Sequence, residues 1–120
     1  MRILAVDIGT GTQDILLFDS SRAVENCIKM VMPAPTVIAA QRIREATRTR
    51  SALAITGVNM GGGPVTEAVL QHIKAALPVY ATVEAATTFD DDMEMVKGMG
   101  VTLVGHDEIM SLSSATRVSL

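Results

Sequence analysis

Arg2–Asp19, RILAVDIGTGTQDILLFD, decides how the chain is read. Arg2 to Ile8 is rich in β-branched and aliphatic side chains and runs directly into Gly9-Thr10-Gly11-Thr12, residues that favour a tight turn. Asp14 to Asp19 is short, apolar in its middle and closed by Ser20-Ser21, which predicts a second strand rather than a helix. The two runs therefore read as a β-hairpin. Asp7 is its unusual residue, because a carboxylate inside an otherwise apolar strand is costly without a partner or an ion. At a strand end it can hold a hydrated magnesium ion, while the turn after it can aim N–H groups and hydroxyls at phosphate oxygens.

A glycine–threonine turn alone would read as an ordinary hairpin connection, and it is Asp7 that shifts the balance. A dinucleotide fingerprint fails here. Gly9-x-Gly11 is followed by Asp14 where a third glycine belongs, and a strand stands where a helix is required. A Walker-type loop would need a Gly-Lys-Ser/Thr ending, which is missing.

Outward from the hairpin, Cys27 to Met32 predicts a third strand, stopped by Pro33 and Pro35. A helix follows over about 36–50, with an apolar stripe of Val37, Ile38, Ile43 and Ala46. Ala52 to Thr56 predicts a buried strand leading into Gly57-Val58-Asn59-Met60 and the run Gly61-Gly62-Gly63. Pro64 opens a helix with Val65, Val69, Ile73 and Leu77 at four-residue spacing. Val79 to Val83 and Val101 to Val104 predict two more strands, separated by a helix over about 90–97. The expected fold is α/β: a ribonuclease H-like mixed sheet, antiparallel in its first three strands and parallel afterwards, with flanking helices. Residues 1–105 are expected to form one lobe and 106–120 a tail, or the start of a connection to a second lobe.

DIGTGTQDILLFD resembles the first phosphate motif of the actin, heat-shock chaperone and sugar-kinase ATPases, a strand-turn-strand hairpin with an Asp-x-Gly-Thr-x-Thr pattern. The resemblance implies an amino-terminal lobe with a magnesium-linked role, through water, for Asp7. It also implies phosphate contacts for Gly9, Thr10, Gly11 and Thr12, with Gln13 carried along in the motif, and ATP and Mg2+ as cofactors. Over nearly its whole length, including ALAITGVNMGGGPVT and MGVTLVGHDE, the chain is also similar to a prokaryotic family within that superfamily, some of whose members carry the label of pyruvate formate-lyase activating enzymes. A radical activating enzyme holds an iron–sulfur cluster on three cysteines, whereas Cys27 is the one cysteine here.

Asn59 and Gly61-Gly62-Gly63 lie between a strand and a helix start, where exposed N–H groups favour an anion, so they form a second candidate phosphate or substrate contact. A plain glycine-rich helix entry is the competing reading. Met60 is a candidate for lining the cleft. Asp90-Asp91-Asp92 with Glu94 reads as a solvated helix start. His72 is expected on the polar side of its helix, and His106, after a strand end, is a minor candidate.

Composition narrows the classes further. In 120 residues, 48% hydrophobic and 19% charged with a net charge of −3, nothing draws the chain toward nucleic acid or an anionic membrane. No apolar run approaches the roughly 20 residues that span a bilayer, and no signal peptide is indicated, so a cytoplasmic location is expected. The mean hydropathy of +0.35 implies apolar surface that something else covers, either a missing carboxyl-terminal lobe or a second copy. The leading expectation is therefore a phosphate- and Mg-nucleotide-binding lobe of an ATPase or small-molecule kinase, incomplete as a single chain. The alternative is a binding or dimerisation module that keeps the fold without catalysis. A metal-dependent nuclease ranks last, since the strand at 52–56 supplies no carboxylate.

Overall fold

In the computed structural model, which describes residues 1–59 and 61–120, the opening strands are β1 (Arg2–Ile8), β2 (Thr12–Asp19) and β3 (Ile28–Pro33). They form one antiparallel sheet in the order β1-β2-β3. Met60 lies outside the described residues. The chain continues through α1 (Pro35–Arg48), β4 (Leu53–Thr56), α2 (Gly62–Lys74), β5 (Val79–Ala81) and α3 (Val83–Ala86), then α4 (Met93–Met99), β6 (Val101–Leu103), α5 (His106–Met110) and β7 (Thr116–Ser119). Strands β4 to β7 form a second, wholly parallel sheet in the order β6-β5-β4-β7.

The α/β class, the antiparallel opening trio, the later parallel strands and the flanking helices are as the sequence predicts. The strands, however, divide into two sheets instead of joining into one mixed sheet. β4 offers the opening strands no place beside it, since β5 holds one side and β7 the other, in parallel register from Leu53↔Thr116 to Thr56↔Ser119. The residues expected as a tail, 106–120, thus supply α5 and a strand inside the second sheet. β7 escaped the sequence reading because only Val118 of its four residues is buried, too short a pattern to show alternation.

The second sheet holds the core. Leu53, Ile55, Val79, Ala81, Val101 and Val118 turn to one face, against Ile43 of α1, Val65, Ala68 and Val69 of α2, and Val96 of α4. Ala54 and Tyr80 turn to the other face, covered by Ile109 of α5 and by Leu112. Helices on both faces, with strands stepping from β4 through β5 to β6 and then back across to β7, make a doubly wound half-sheet whose direction reverses between β4 and β7. Each fully buried Leu, Ile or Val contributes about 1.5–3 kcal/mol of apolar transfer.

The first sheet has no such cover. Ile3, Leu4, Val6, Ile8, Ile28, Met30, Val31 and Met32 are all exposed, Leu4, Ile8 and Val31 by 64%, 65% and 66%. The chain is correspondingly long, 55 × 27 × 24 Å with a radius of gyration of 17.7 Å, against about 14 Å for a compact domain of this size. A three-stranded sheet with both faces exposed gains little independent stability.

His72 corrects the sequence reading. It is fully buried between α1 and α2, with Nδ1 2.8 Å from Thr47 Oγ1. The helical stripe turns about one position further than the spacing of Val65, Val69 and Ile73 suggests, and it takes His72 in with Ala68. Nε2 has no well-aligned hydrogen bond. Burial lowers the His72 pKa below its ordinary 6.5, and the Pro78 carbonyl only partly opposes this. The neutral form is therefore the folded form. The unfolded chain takes up a proton near the ordinary value and the folded chain does not, so this contribution to stability is complete above pH 6.5 and is lost as the pH falls through the window below it. Thermal unfolding at pH 7.5 and pH 5.8 should show a lower midpoint at the acidic pH in the wild type and a smaller drop in His72→Leu. An equal drop in both would remove His72 as the cause.

Candidate functional site

β1 and β2 pair from Arg2↔Asp19 to Ile8↔Gln13, and this register sets Asp7 directly opposite Asp14. Side chains alternate across a strand, so Ala5, Asp7, Asp14 and Leu16 share one face with Lys29 and Val31 of β3. These six line a shallow groove of about 400 Å3. Two like charges opposite one another repel, and a cation between them removes the cost. Thr12 Oγ1 donates to Asp14 Oδ2 at 3.3 Å, which fixes the second carboxylate beside the turn.

The turn is closed by Gly9 N donating to the Thr12 carbonyl at 2.9 Å, leaving Thr10 and Gly11 as its two-residue loop. Neither has a positive φ, so the turn is not the primed type that closes most two-residue hairpins. Among the described residues the amides of Thr10 and Gly11 donate to no backbone carbonyl. The loop carbonyls, by contrast, are held: Ala34 N donates to Gly11 O at 3.1 Å and Thr36 Oγ1 to Thr10 O at 3.2 Å. The turn is thereby anchored to the start of α1 through its acceptors, while two donors stay available. Gln13 is turned away from this function, its side-chain amide donating to the Pro33 carbonyl at 3.2 Å.

Thr36, which no sequence signal singles out, links the two glycine-rich segments. It holds Thr10 on one side and lines a small cavity of about 60 Å3 with Pro35, Asn59, Gly61 and Ser119 on the other. Gly62 stands close by, with φ of 64° at the first position of α2. Gly61 is buried, with its amide on Thr88 Oγ1 at 3.2 Å, and a Cβ there would press into Val65 at 2.8 Å. Gly63 is exposed with open space around its Cα. Asn59 is exposed and its carbonyl accepts from Thr88 Oγ1 at 3.4 Å. Asp7 lies in the first sheet and Asn59 in the loop after β4 of the second, so the two candidate anion contacts are neighbours through Thr36 and not along one sheet edge. His106 lies apart from Asp7, in a separate cleft with Glu84. The acidic run at 90–92 caps α4, Asp92 Oδ1 accepting from Glu94 N at 2.9 Å.

Fold and site together define a two-sheet α/β protein, a doubly wound parallel half-sheet joined to an antiparallel hairpin sheet that carries a paired-carboxylate groove. The chain belongs to the family described as "Putative pyruvate format-lyase activating enzyme (DUF1786)", whose model matches residues 60–119. No curated protein and no solved structure matches the chain. An iron–sulfur cluster of the kind a radical activating enzyme holds on three cysteines does not fit the residues of this chain. Cys27 is its one cysteine and is buried, and the described residues contain no group of three side chains able to hold a metal ion. No helix among the described residues is long and apolar enough to cross a membrane.

Proposed function

We propose that the chain is the phosphate-gripping part of a cytoplasmic, actin-like ATPase or small-molecule kinase, taking a magnesium-bound nucleotide at the β1–β2 turn. The observation that carries this reading is the pairing of Asp7 with Asp14 beside a turn whose carbonyls are tied down and whose Thr10 and Gly11 amides are free. A magnesium ion keeps most of its water and needs only one or two carboxylates, which Asp7 and Asp14 provide. The amides of Thr10 and Gly11 are the donors for phosphate oxygens, the Thr12 hydroxyl holds the Asp14 carboxylate in place, and Asn59, Gly62 and Gly63 add a second set across Thr36. Phosphoryl transfer rests on positioning and charge stabilisation from several sides, so one hairpin supports binding more than turnover.

Isothermal titration with ATP in magnesium and in EDTA tests this. Saturable binding with magnesium, at least tenfold weaker in EDTA, is expected, with hydrolysis at background. Equal heats in both buffers, or none, would rule it out.

A second reading, a binding module that pairs through its first sheet, is favoured by the exposed apolar rows on that sheet. β1 also leaves one edge unpaired. Sedimentation equilibrium separates the two: a self-associating chain that Leu4→Lys makes monomeric supports pairing, and a wild-type monomer at high concentration excludes it.

A further inference from the structure

A larger cleft lies over the carboxyl ends of the parallel strands. It has a volume of about 440 Å3 and is lined by Thr56, Gly57, Val58, Thr82, Glu84 and His106. Thr56 ends β4, Thr82 follows β5, and His106 opens α5 just after β6. In doubly wound sheets, ligands enter crevices outside the carboxyl ends of the strands. This cleft lies over β4, β5 and β6, and the reversal of strand order between β4 and β7 lies on the far side of β4, beside the small cavity with Asn59 and Ser119.

The wall of the cleft has polar groups without a hydrogen-bond partner among the described residues. Among the described residues the Glu84 carboxylate joins neither an ion pair nor a hydrogen bond, and only its backbone carbonyl is engaged, by Thr87 Oγ1. The Thr56 hydroxyl and the His106 ring are likewise uncommitted, whereas the Thr82 hydroxyl already accepts from Ala85 N. An ionised carboxylate only accepts, so it selects a ligand that donates. An anion is disfavoured by Glu84 and by Asp107 and Glu108 next to His106. A metal ion would find two ligating side chains and no third. Val58, 79% exposed, adds an apolar wall. A ligand with adjacent hydroxyls and a flat, weakly polar ring satisfies all of these groups.

We infer that this cleft binds the ribonucleoside part of a nucleotide, with Glu84 accepting hydrogen bonds from the ribose 2′- and 3′-hydroxyls. The inference deepens the nucleotide reading above and rests on it only for the phosphates. The loop from Gly57 to Asn59 runs from this cleft to the cavity beside Thr36, and so joins a sugar end to a phosphate end.

The test titrates the whole chain with adenosine, guanosine, cytidine and uridine, which carry no phosphate, and with their 2′,3′-dideoxy counterparts. At least one ribonucleoside is expected to bind, its dideoxy form at least tenfold more weakly, with Glu84→Ala losing the same factor and Asp7→Asn losing nothing. Glu84→Gln, which keeps the side-chain size, serves if the alanine variant misfolds, and the same loss is expected. Absence of binding by all four, or less than a twofold effect from both the dideoxy change and the Glu84 variant, would overturn the inference. Nucleoside binding without any gain from Mg-ATP would count against the phosphate site and leave this one standing. Mg-ATP binding that needs Asp7 but is indifferent to Glu84 would do the reverse.

Discussion

Replacing Gly57 by alanine is expected to lower stability by about 3 kcal/mol, the sum of a strained backbone and an overpacked contact. Gly57 follows β4 with φ of 105°, a conformation that side chains with a Cβ rarely adopt. The space is closed as well: a Cβ would collide with the backbone of Leu120, whose N would lie 2.7 Å away. Leu120 cannot retreat freely, because its amide donates to the Thr56 carbonyl at 2.8 Å at the end of the β4–β7 ladder. The substitution must loosen the end of β7. Gly63→Ala is the control, since nothing lies within 4 Å of a Cβ there, and it should cost little. Urea unfolding of the two variants measures the difference, and a Gly57→Ala loss no larger than that of Gly63→Ala would mean that β7 does not pack over Gly57.

The second large effect is expected at Asp7. Asp7→Asn should weaken magnesium-dependent nucleotide binding at least tenfold, since it removes one of the two carboxylates that face each other across the hairpin. The same change should leave the free chain slightly more stable, by about 0.2–1 kcal/mol, because it relieves the repulsion from Asp14. Opposite signs in the two measurements distinguish a ligand-binding carboxylate from a structural one. A loss of stability together with unchanged binding would make Asp7 structural.

The sequence was most legible where patterns were long and closed by strong punctuation. Arg2–Ile8 agrees with the observed strand at both ends, and the helix after the triple glycine starts two residues before Pro64. Short or crowded elements were not legible. α3 has four residues and is capped by Thr82, the residue after β5, where the sequence read as strand through Val83. β7 and α5 fell within a stretch without periodicity. The pairing of β7 with β4 is a long-range choice that local residues do not encode.

The candidate site was legible in its chemistry and not in its geometry. Asp7 and the turn stood out because their residue types are costly or special where they are. Asp14, read only as the start of a strand, becomes a partner of Asp7 through register, and register follows from a turn length that the sequence left open. Thr36 had no signal, since a threonine near a helix start is commonplace and its bond to Thr10 spans 26 positions. Glu84 and His106 are 22 positions apart, and only the adjacency of β5 and β6 brings them to one cleft.

The most direct measurement is the amide spectrum of the labelled chain during titration with Mg-ATP. Saturable shifts are expected for Thr10 and Gly11, together with Asp7 and Thr12, and their disappearance in Gly11→Ala, where a Cβ has open space and the fold should be unaffected. Shifts confined to other parts of the chain, or unaltered shifts at the turn in Gly11→Ala, would contradict it.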